Sequence, residues 1–191
     1  TANDRVGNTG ITALNNGNYL VRTANWGQGG LLTLGAVTWG SGTAGVSGAV
    51  SATNSLVGSK RDDNVGIIGI TALSNGNYVV SSNNWNKDAT TTRVGAVTWG
   101  SGTGGTIGAV SATNSLVGSK ADDSVGNGGI TALTNGNYVV RSPNFDGQRG
   151  AVWLVAGPAS AAEMINASSG TANVNPALLA NAAGAGTTVT L

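Results

Sequence analysis

Short apolar runs separated by polar turns dominate the chain, and the middle of the sequence shows the pattern most clearly. An apolar run at residues 69–73 is followed by Ser74-Asn75-Gly76-Asn77 and then by a second apolar run at residues 78–82. An Asn-Gly pair between two apolar runs favours a β-hairpin with a type I′ turn, in which both central residues adopt positive φ. The pattern therefore predicts two antiparallel strands.

Two more strands follow in the same stretch. Residues 94–99 predict a third strand, which ends in the glycine-rich segment 100–105. Either residues 107–112 or residues 115–118 supply a fourth. Apolar residues do not recur at helical spacing anywhere in residues 65–124. This stretch therefore predicts a small four-stranded antiparallel sheet.

The same stretch occurs three times. The run that begins at Ile11 returns at Ile70 and at Ile130, and residues 48–60 reappear unchanged as residues 108–120. We expect repeat units at about 1–64, 65–124 and 125–157, with a C-terminal tail at 158–191. The first residue falls inside a unit, so the chain is expected to be a piece of a longer polypeptide.

A single sheet of this size cannot bury both of its faces, so neighbouring sheets must stack and enclose their apolar residues. The predicted fold is all-β: three blade-like units of about 60 residues of the β-propeller type. A linear β-solenoid stack is the alternative. Propellers usually contain about 4–8 blades, so a ring would need further blades or the association of several copies.

The tail carries helix signals instead of the repeat. Ser160 and Glu163 are spaced as in a capping box, which predicts a short helix at residues 161–167. Asn175 followed by Pro176 predicts a second helix at residues 177–183, and residues 187–191 are expected to form a strand.

Composition narrows the possible functions. The chain has 32 glycines, 9% charged residues, a net charge of +1, and neither cysteine nor histidine. Disulfides, thiolate metal sites and histidine-based catalysis are thereby excluded. Nucleic acids and membrane insertion are not expected, because no face can be strongly basic and the apolar runs are short.

Recurring aspartates are the first candidates for chemistry. Asp4, Asp63 and Asp123 occupy equivalent positions in the three units. They could bind a metal or act as an acid or base, but we favour a structural role in which each carboxylate accepts backbone N–H groups of a turn. A serine nucleophile would need one of only three lysines as its base. We therefore expect no catalytic residue, metal or cofactor.

Recurring aromatic residues form two sets. Trp39, Trp99 and Trp153 lie in the third strands and are predicted to pack between sheets, as are the three tyrosines Tyr19, Tyr78 and Tyr138. The second set lies in polar connections, where exposed rings would suit stacking on sugars. A carbohydrate-binding module is therefore the alternative function, with ligand contacts from Trp26, Trp85 and Phe145.

The order of these motifs resembles a known repeat. Leu116-Val-Gly, the pair Asp122-Asp123, Val125-Gly126 and Gly150-Ala-Val-Trp follow one another as in the FG-GAP repeats of integrin-α-type β-propellers. The resemblance covers residues 1–157 and implies a propeller blade. The hairpins at 15–18, 74–77 and 134–137 contain no carboxylate, so the calcium loop of many such blades is not expected here.

A second resemblance concerns the parent protein. Residues 95–100, 114–119 and 132–140 are similar to tandem repeats of very large bacterial exoproteins of the filamentous-haemagglutinin type. This resemblance implies a secreted or surface-displayed bacterial protein. The expected function is a non-enzymatic structural or adhesive module that associates with itself or with other blades of its parent.

Overall fold

The chain folds into three small β-sheets. A computed structural model describes residues 4–157, 162–166 and 172–173, with one helical turn, α1 (Phe145–Gln148). The strands, in chain order, are β1 (Gly10–Ala13), β2 (Tyr19–Thr23), β3 (Ala36–Gly40), β4 (Ser55–Val57), β5 (Gly69–Ala72), β6 (Tyr78–Ser82), β7 (Ala96–Gly100), β8 (Gly108–Ala109), β9 (Ser115–Val117), β10 (Ile130–Ala132), β11 (Tyr138–Ser142), β12 (Ala151–Val155), β13 (Ala162–Asn166) and β14 (Ala172–Asn173).

The three sheets follow the three repeat units in order, which confirms the predicted all-β repeat architecture. Sheet 1 has the order β1-β2-β3-β4-β8, sheet 2 has β5-β6-β7-β9, and sheet 3 has β10-β11-β12-β13-β14. All pairs are antiparallel except β4 with β8. Over the described residues the three sheets form an open row and do not close into a ring, so no complete propeller is present.

The hairpin turns differ from the predicted type I′ geometry. Gly76 adopts a φ of +83°, but Asn75 does not adopt positive φ. The amide of Gly76 donates to the carbonyl of Leu73, and the amide of Leu73 donates to the carbonyl of Asn77. This is a three-residue loop in which a type I turn is followed by a left-handed glycine. Only the glycine needs left-handed backbone.

Both candidates for the fourth strand are used, in different sheets. Residues 115–117 form β9, the edge of sheet 2. Residues 108–109 form β8, which crosses to sheet 1 and pairs in parallel with β4. The amide of Val110 extends this contact by donating to the carbonyl of Val57 at 3.0 Å. The second unit is thus joined to the first by backbone hydrogen bonds as well as by side chains.

An apolar layer joins sheet 1 to sheet 2. It contains Leu20, Val37 and Leu56 from sheet 1 and Tyr78 and Val80 from sheet 2, all of them buried. A fully buried side chain of this size stabilises the fold by about 1.5–3 kcal/mol. We call this group the first layer.

A second layer joins sheet 2 to sheet 3. Val79 and Val97 of sheet 2 meet Tyr138 and Val140 of sheet 3. Side chains alternate between the two faces of a strand, so Val79 enters the second layer while its neighbour Val80 enters the first. Sheet 2 is therefore covered on both faces, and all five residues of β6 are buried.

The tail prediction is wrong where the structure can test it. Residues 162–166, predicted as part of a helix, form β13 and pair with β12 along its whole length. β14 then pairs with β13. The open edge of β12 needs backbone partners, and that demand outweighs a local helix signal of under three turns. The helix predicted at 177–183 and the strand predicted at 187–191 lie outside the described residues.

Candidate functional site

Asp63 is a buried carboxylate that holds two loops together. It is 0% exposed, and its Oδ2 accepts the amides of Ser59 and Lys60 at 2.8 Å each. Its Oδ1 accepts the amide and the side-chain Nδ2 of Asn86 at 3.0 Å each. Each carboxylate oxygen thus accepts two N–H donors. The residue is engaged in structure and has no free face for a substrate.

The other two recurrent aspartates follow the same plan. Asp123 is 1% exposed, and its Oδ2 accepts the amides of Ser119 and Lys120 at 2.8 Å each. Its Oδ1 accepts the amide of Asp146 at 3.0 Å. In the first unit, Asp4 Oδ1 accepts the amide of Gly27 at 3.1 Å. These contacts match the structural reading of the aspartates given by the sequence.

The aromatic residues of the polar connections are packed against the sheets. Trp26 and Trp85 are 4% and 3% exposed. The ring of Trp85 also lies under the ammonium of Lys60, 5.5 Å from its centroid. Phe145 packs edge-on against Trp153, with their centroids 5.1 Å apart. Trp26 and Trp85 therefore do not present the exposed stacking surface that the carbohydrate-binding alternative requires, because each connection folds its tryptophan inward.

The tryptophans of the third strands are not one equivalent set. Trp39 and Trp99 are half-buried and pack against the first and second layers. Trp153 sits one residue earlier in β12, so it faces back toward sheet 2 and Leu154 takes the position of Trp39. Trp39 Nε1 donates to the carbonyl of Gly102 at 3.0 Å. Trp99 Nε1 has no partner among the described residues.

Asparagines of the hairpin turns link successive units, a role that the sequence analysis did not assign. Asn16 and Asn18 each donate from Nδ2 to the carbonyl of Gly102, at 2.8 and 2.9 Å. Asn75 donates to the carbonyl of Gly136 at 3.4 Å, and Ser74 Oγ donates to the carbonyl of Leu133 at 3.1 Å. The sequence feature that could have indicated this role is the recurrence of a polar side chain at the same turn position in all three units.

Two tyrosines lie fully inside the stack, but they differ in their hydroxyl partners. Tyr78 Oη accepts the amide of Thr106 at 3.0 Å, whereas Tyr138 Oη has no partner among the described residues. Replacing Tyr138 with phenylalanine is therefore expected to leave stability unchanged or raise it by up to about 1 kcal/mol. Tyr78→Phe should cost about 1 kcal/mol. Urea unfolding of both variants measures the difference, and equal costs would contradict it.

The same phenols predict sensitivity to alkali. Burial raises the pKa of both Tyr78 and Tyr138 above the usual 10.0. As pH rises, the phenols therefore ionise in the unfolded chain before they ionise in the folded chain. Their contribution to the free energy of unfolding is complete below pH 10 and is lost as pH rises from 10 toward the folded-state pKa. We expect the urea midpoint to fall above about pH 10, and to fall less in the Tyr78→Phe/Tyr138→Phe double variant. An identical decline in the double variant would contradict this assignment.

Two sheet faces at the ends of the row are not covered by another sheet of the described residues. We call the face of sheet 1 that points away from sheet 2 the leading face, and it is formed by Val6, Ile11, Tyr19 and Val21. We call the face of sheet 3 that points away from sheet 2 the trailing face. It is formed by Val139, Arg141, Val152 and Leu154, which are half-buried or exposed.

Acidic side chains over the described part of the chain do not assemble into a candidate metal centre. No three residues among His, Cys, Asp and Glu come together there in a way that could hold a metal ion. Lys60 Nζ donates to Ser59 Oγ at 3.4 Å, but the equivalent Lys120 bonds Asp146 instead. The described residues also contain no helix with the length and apolar character of a membrane span.

Comparison with known proteins agrees with the repeat structure. A repeat of unknown function, DUF5650, matches residues 13–67, 72–127 and 132–170. Its third match runs past residue 157, as sheet 3 does through β13. No curated protein matches the chain. The three matches cover more than half of the sequence, and the chain therefore belongs to the DUF5650 family of repeats.

Proposed function

We propose that this chain is a non-enzymatic structural module of a secreted or surface-displayed bacterial protein, with an adhesive or scaffolding role. The FG-GAP-like and haemagglutinin-type motifs support the extracellular setting. The absence of cysteine is compatible with that setting.

The proposal is based on one observation: the recurring polar and aromatic residues are engaged in hydrogen bonds and packing within the repeats. Asp63 and Asp123 bind loop amides, Trp26 and Trp85 are buried, and the turn asparagines bind the next unit. A residue that recurs in every unit, and whose side chain is fully engaged in packing or hydrogen bonding, has a structural role in the repeat. A binding or catalytic site would instead leave polar or aromatic groups converging on open space.

A screen for the rival functions tests the proposal. The chain is applied to a glycan array and to general hydrolase and glycosidase substrates, with its fold verified by circular dichroism beforehand. We expect no saturable glycan binding and no turnover above the buffer blank. Saturable binding would overturn the proposal if competing free glycan abolished it. Turnover would overturn it if the activity co-purified with the chain.

A further inference from the structure

The leading face carries residues that are less exposed at the equivalent positions of the second unit. Val6 is 66% exposed, whereas its equivalents Val65 and Val125 are both 0% exposed. Ile11 is 70% exposed, whereas its equivalent Ile70 is half-buried against the first layer. An apolar surface of this kind on a single repeat signals a missing neighbour.

The other two members of the leading face show the same difference. Tyr19 and Val21 are half-buried, while their equivalents Tyr78 and Val80 are 1% and 0% exposed. In sheet 2 these positions are covered by the preceding sheet. Sheet 1 therefore presents the same docking surface as sheet 2, but the described chain supplies nothing to cover it.

The trailing face offers the matching surface. Val139 and Val152 are half-buried, whereas their equivalents Val79 and Val97 in sheet 2 are 0% exposed under sheet 3. Leu154 takes the place of Trp99. The two ends of the row thus present the two halves of an interface that the chain already forms twice internally.

A specific polar contact accompanies these apolar surfaces. Arg22 Nη1 donates to the carbonyl of Gly66 in the next unit at 3.1 Å, and Ser81 Oγ donates to the carbonyl of Gly126 at 3.2 Å. Arg141 is exposed at the position of Arg22 and Ser81 on the trailing face. Its Nε donates to the carbonyl of Gly128 in its own unit at 2.9 Å, so the contact equivalent to that of Arg22 would come from its Nη groups. The carbonyl equivalent to that of Gly66 on the leading face belongs to Gly7.

The turns provide a second set of matching groups. Thr134 and Asn135 stand where Ser74 and Asn75 donate to the turn of the following unit. Both are exposed, as Ser74 and Asn75 are, and no further described unit follows them at the trailing end. The hairpin at residues 15–18 is the turn that would accept them.

We propose that the trailing face of one copy of this chain docks on the leading face of a second copy, continuing the stack head to tail. The proposal deepens the structural function above by naming the partner. Such a heterologous contact generates a ring if it closes and a fibre if it does not. β14 already lies on the outer edge of β13, so the interface consists of the faces and turns, without the edge pairing of β4 with β8.

Paired variants test the direction of docking by sedimentation velocity over a range of concentrations. Wild-type chain is expected to form larger species as concentration rises. Ile11→Asp removes the leading face and Leu154→Asp removes the trailing face, and each alone should associate at least about 100-fold more weakly, because a carboxylate would be buried in an apolar layer. Mixed in equal amounts, the two variants should form a heterodimer that grows no further.

Controls keep the outcome unambiguous. Ile107→Asp changes an isoleucine that is 57% exposed in the connection before β8 and is not one of the residues that define either face, so this variant should associate like wild type. If Leu154→Asp does not fold, Arg141→Glu replaces it on an exposed side chain. The proposal is overturned if wild type stays monomeric at every concentration, or if the trailing-face variant associates as strongly as wild type. A monomeric wild type with a blank glycan array would leave the structural function itself standing.

Discussion

Replacing Gly95 with alanine is expected to remove most of the stability of the chain. Gly95 adopts a φ of +76°, and a Cβ built on it would lie 2.2 Å from the backbone nitrogen of Val125 and 2.7 Å from its carbonyl oxygen. The contact joins the second unit to the start of the third, where the amide of Val125 donates to the carbonyl of Val94 at 2.9 Å. Neither backbone can move without breaking this bond.

The expected cost is more than about 4 kcal/mol, a size reached only when packing or backbone geometry fails. That is a large part of the total stability of about 5–15 kcal/mol of a typical domain. Urea unfolding followed by tryptophan fluorescence measures it. Gly104→Ala is the matched control, because Gly104 has ordinary φ and no atom within 4 Å of the added carbon, so it should stay within about 0.5 kcal/mol of wild type. Similar midpoints for both variants would contradict the close approach at Gly95.

Replacing Asp63 with alanine is expected to cost about 3–5 kcal/mol, because buried N–H donors would lose a charged acceptor. Two of these donors are the amides of Ser59 and Lys60, and the others belong to Asn86. Asp63→Asn should also destabilise, since its amide group would set an N–H against one pair of donors. The loop around the aspartate is further constrained by Asp62 and Asn64, which both adopt positive φ.

Asp62→Asn is the control for this change. Asp62 is the exposed neighbour, and asparagine tolerates its left-handed backbone, so the variant should stay within about 0.5 kcal/mol of wild type. Hydrogen exchange adds a local readout: the Ser59, Lys60 and Asn86 amides should lose protection in Asp63→Asn and keep it in Asp62→Asn. Equal unfolding free energies for the Asp63 and Asp62 variants would show that the aspartate is not a structural hub.

The strands could be predicted from the sequence because their signals are local. The Asn-Gly turn and the apolar runs on each side of it placed β5 and β6 almost to the residue, and the repetition extended that result to all three units. The preference for a structural role of the aspartates also needed only local reasoning. Asx side chains near glycine-rich turns usually bind backbone amides.

The other predictions failed where the outcome depended on more than the local residue pattern. Residues 48–49 and 108–109 have the same sequence, yet only the second pair forms a strand, because the edge of β4 is present beside it. Trp153 lies one residue out of step with Trp39, and in a strand that shift turns the ring to the opposite face. The polar residues around Trp26 and Trp85 suggested exposure, but burial is decided by where the connection folds.

Contact between successive sheets is the central claim, and proton–proton NOEs between a methyl group and a glycine test it most directly. A Cβ built on Gly66 would lie 2.7 Å from Val37 Cγ2, and one on Gly126 would lie 2.6 Å from Val97 Cγ2. The Val37 methyl of sheet 1 should therefore show a strong NOE to the Gly66 α-protons, and Val97 of sheet 2 should show one to Gly126. Absence of both signals in a folded, assigned sample would mean that the sheets do not lie against one another.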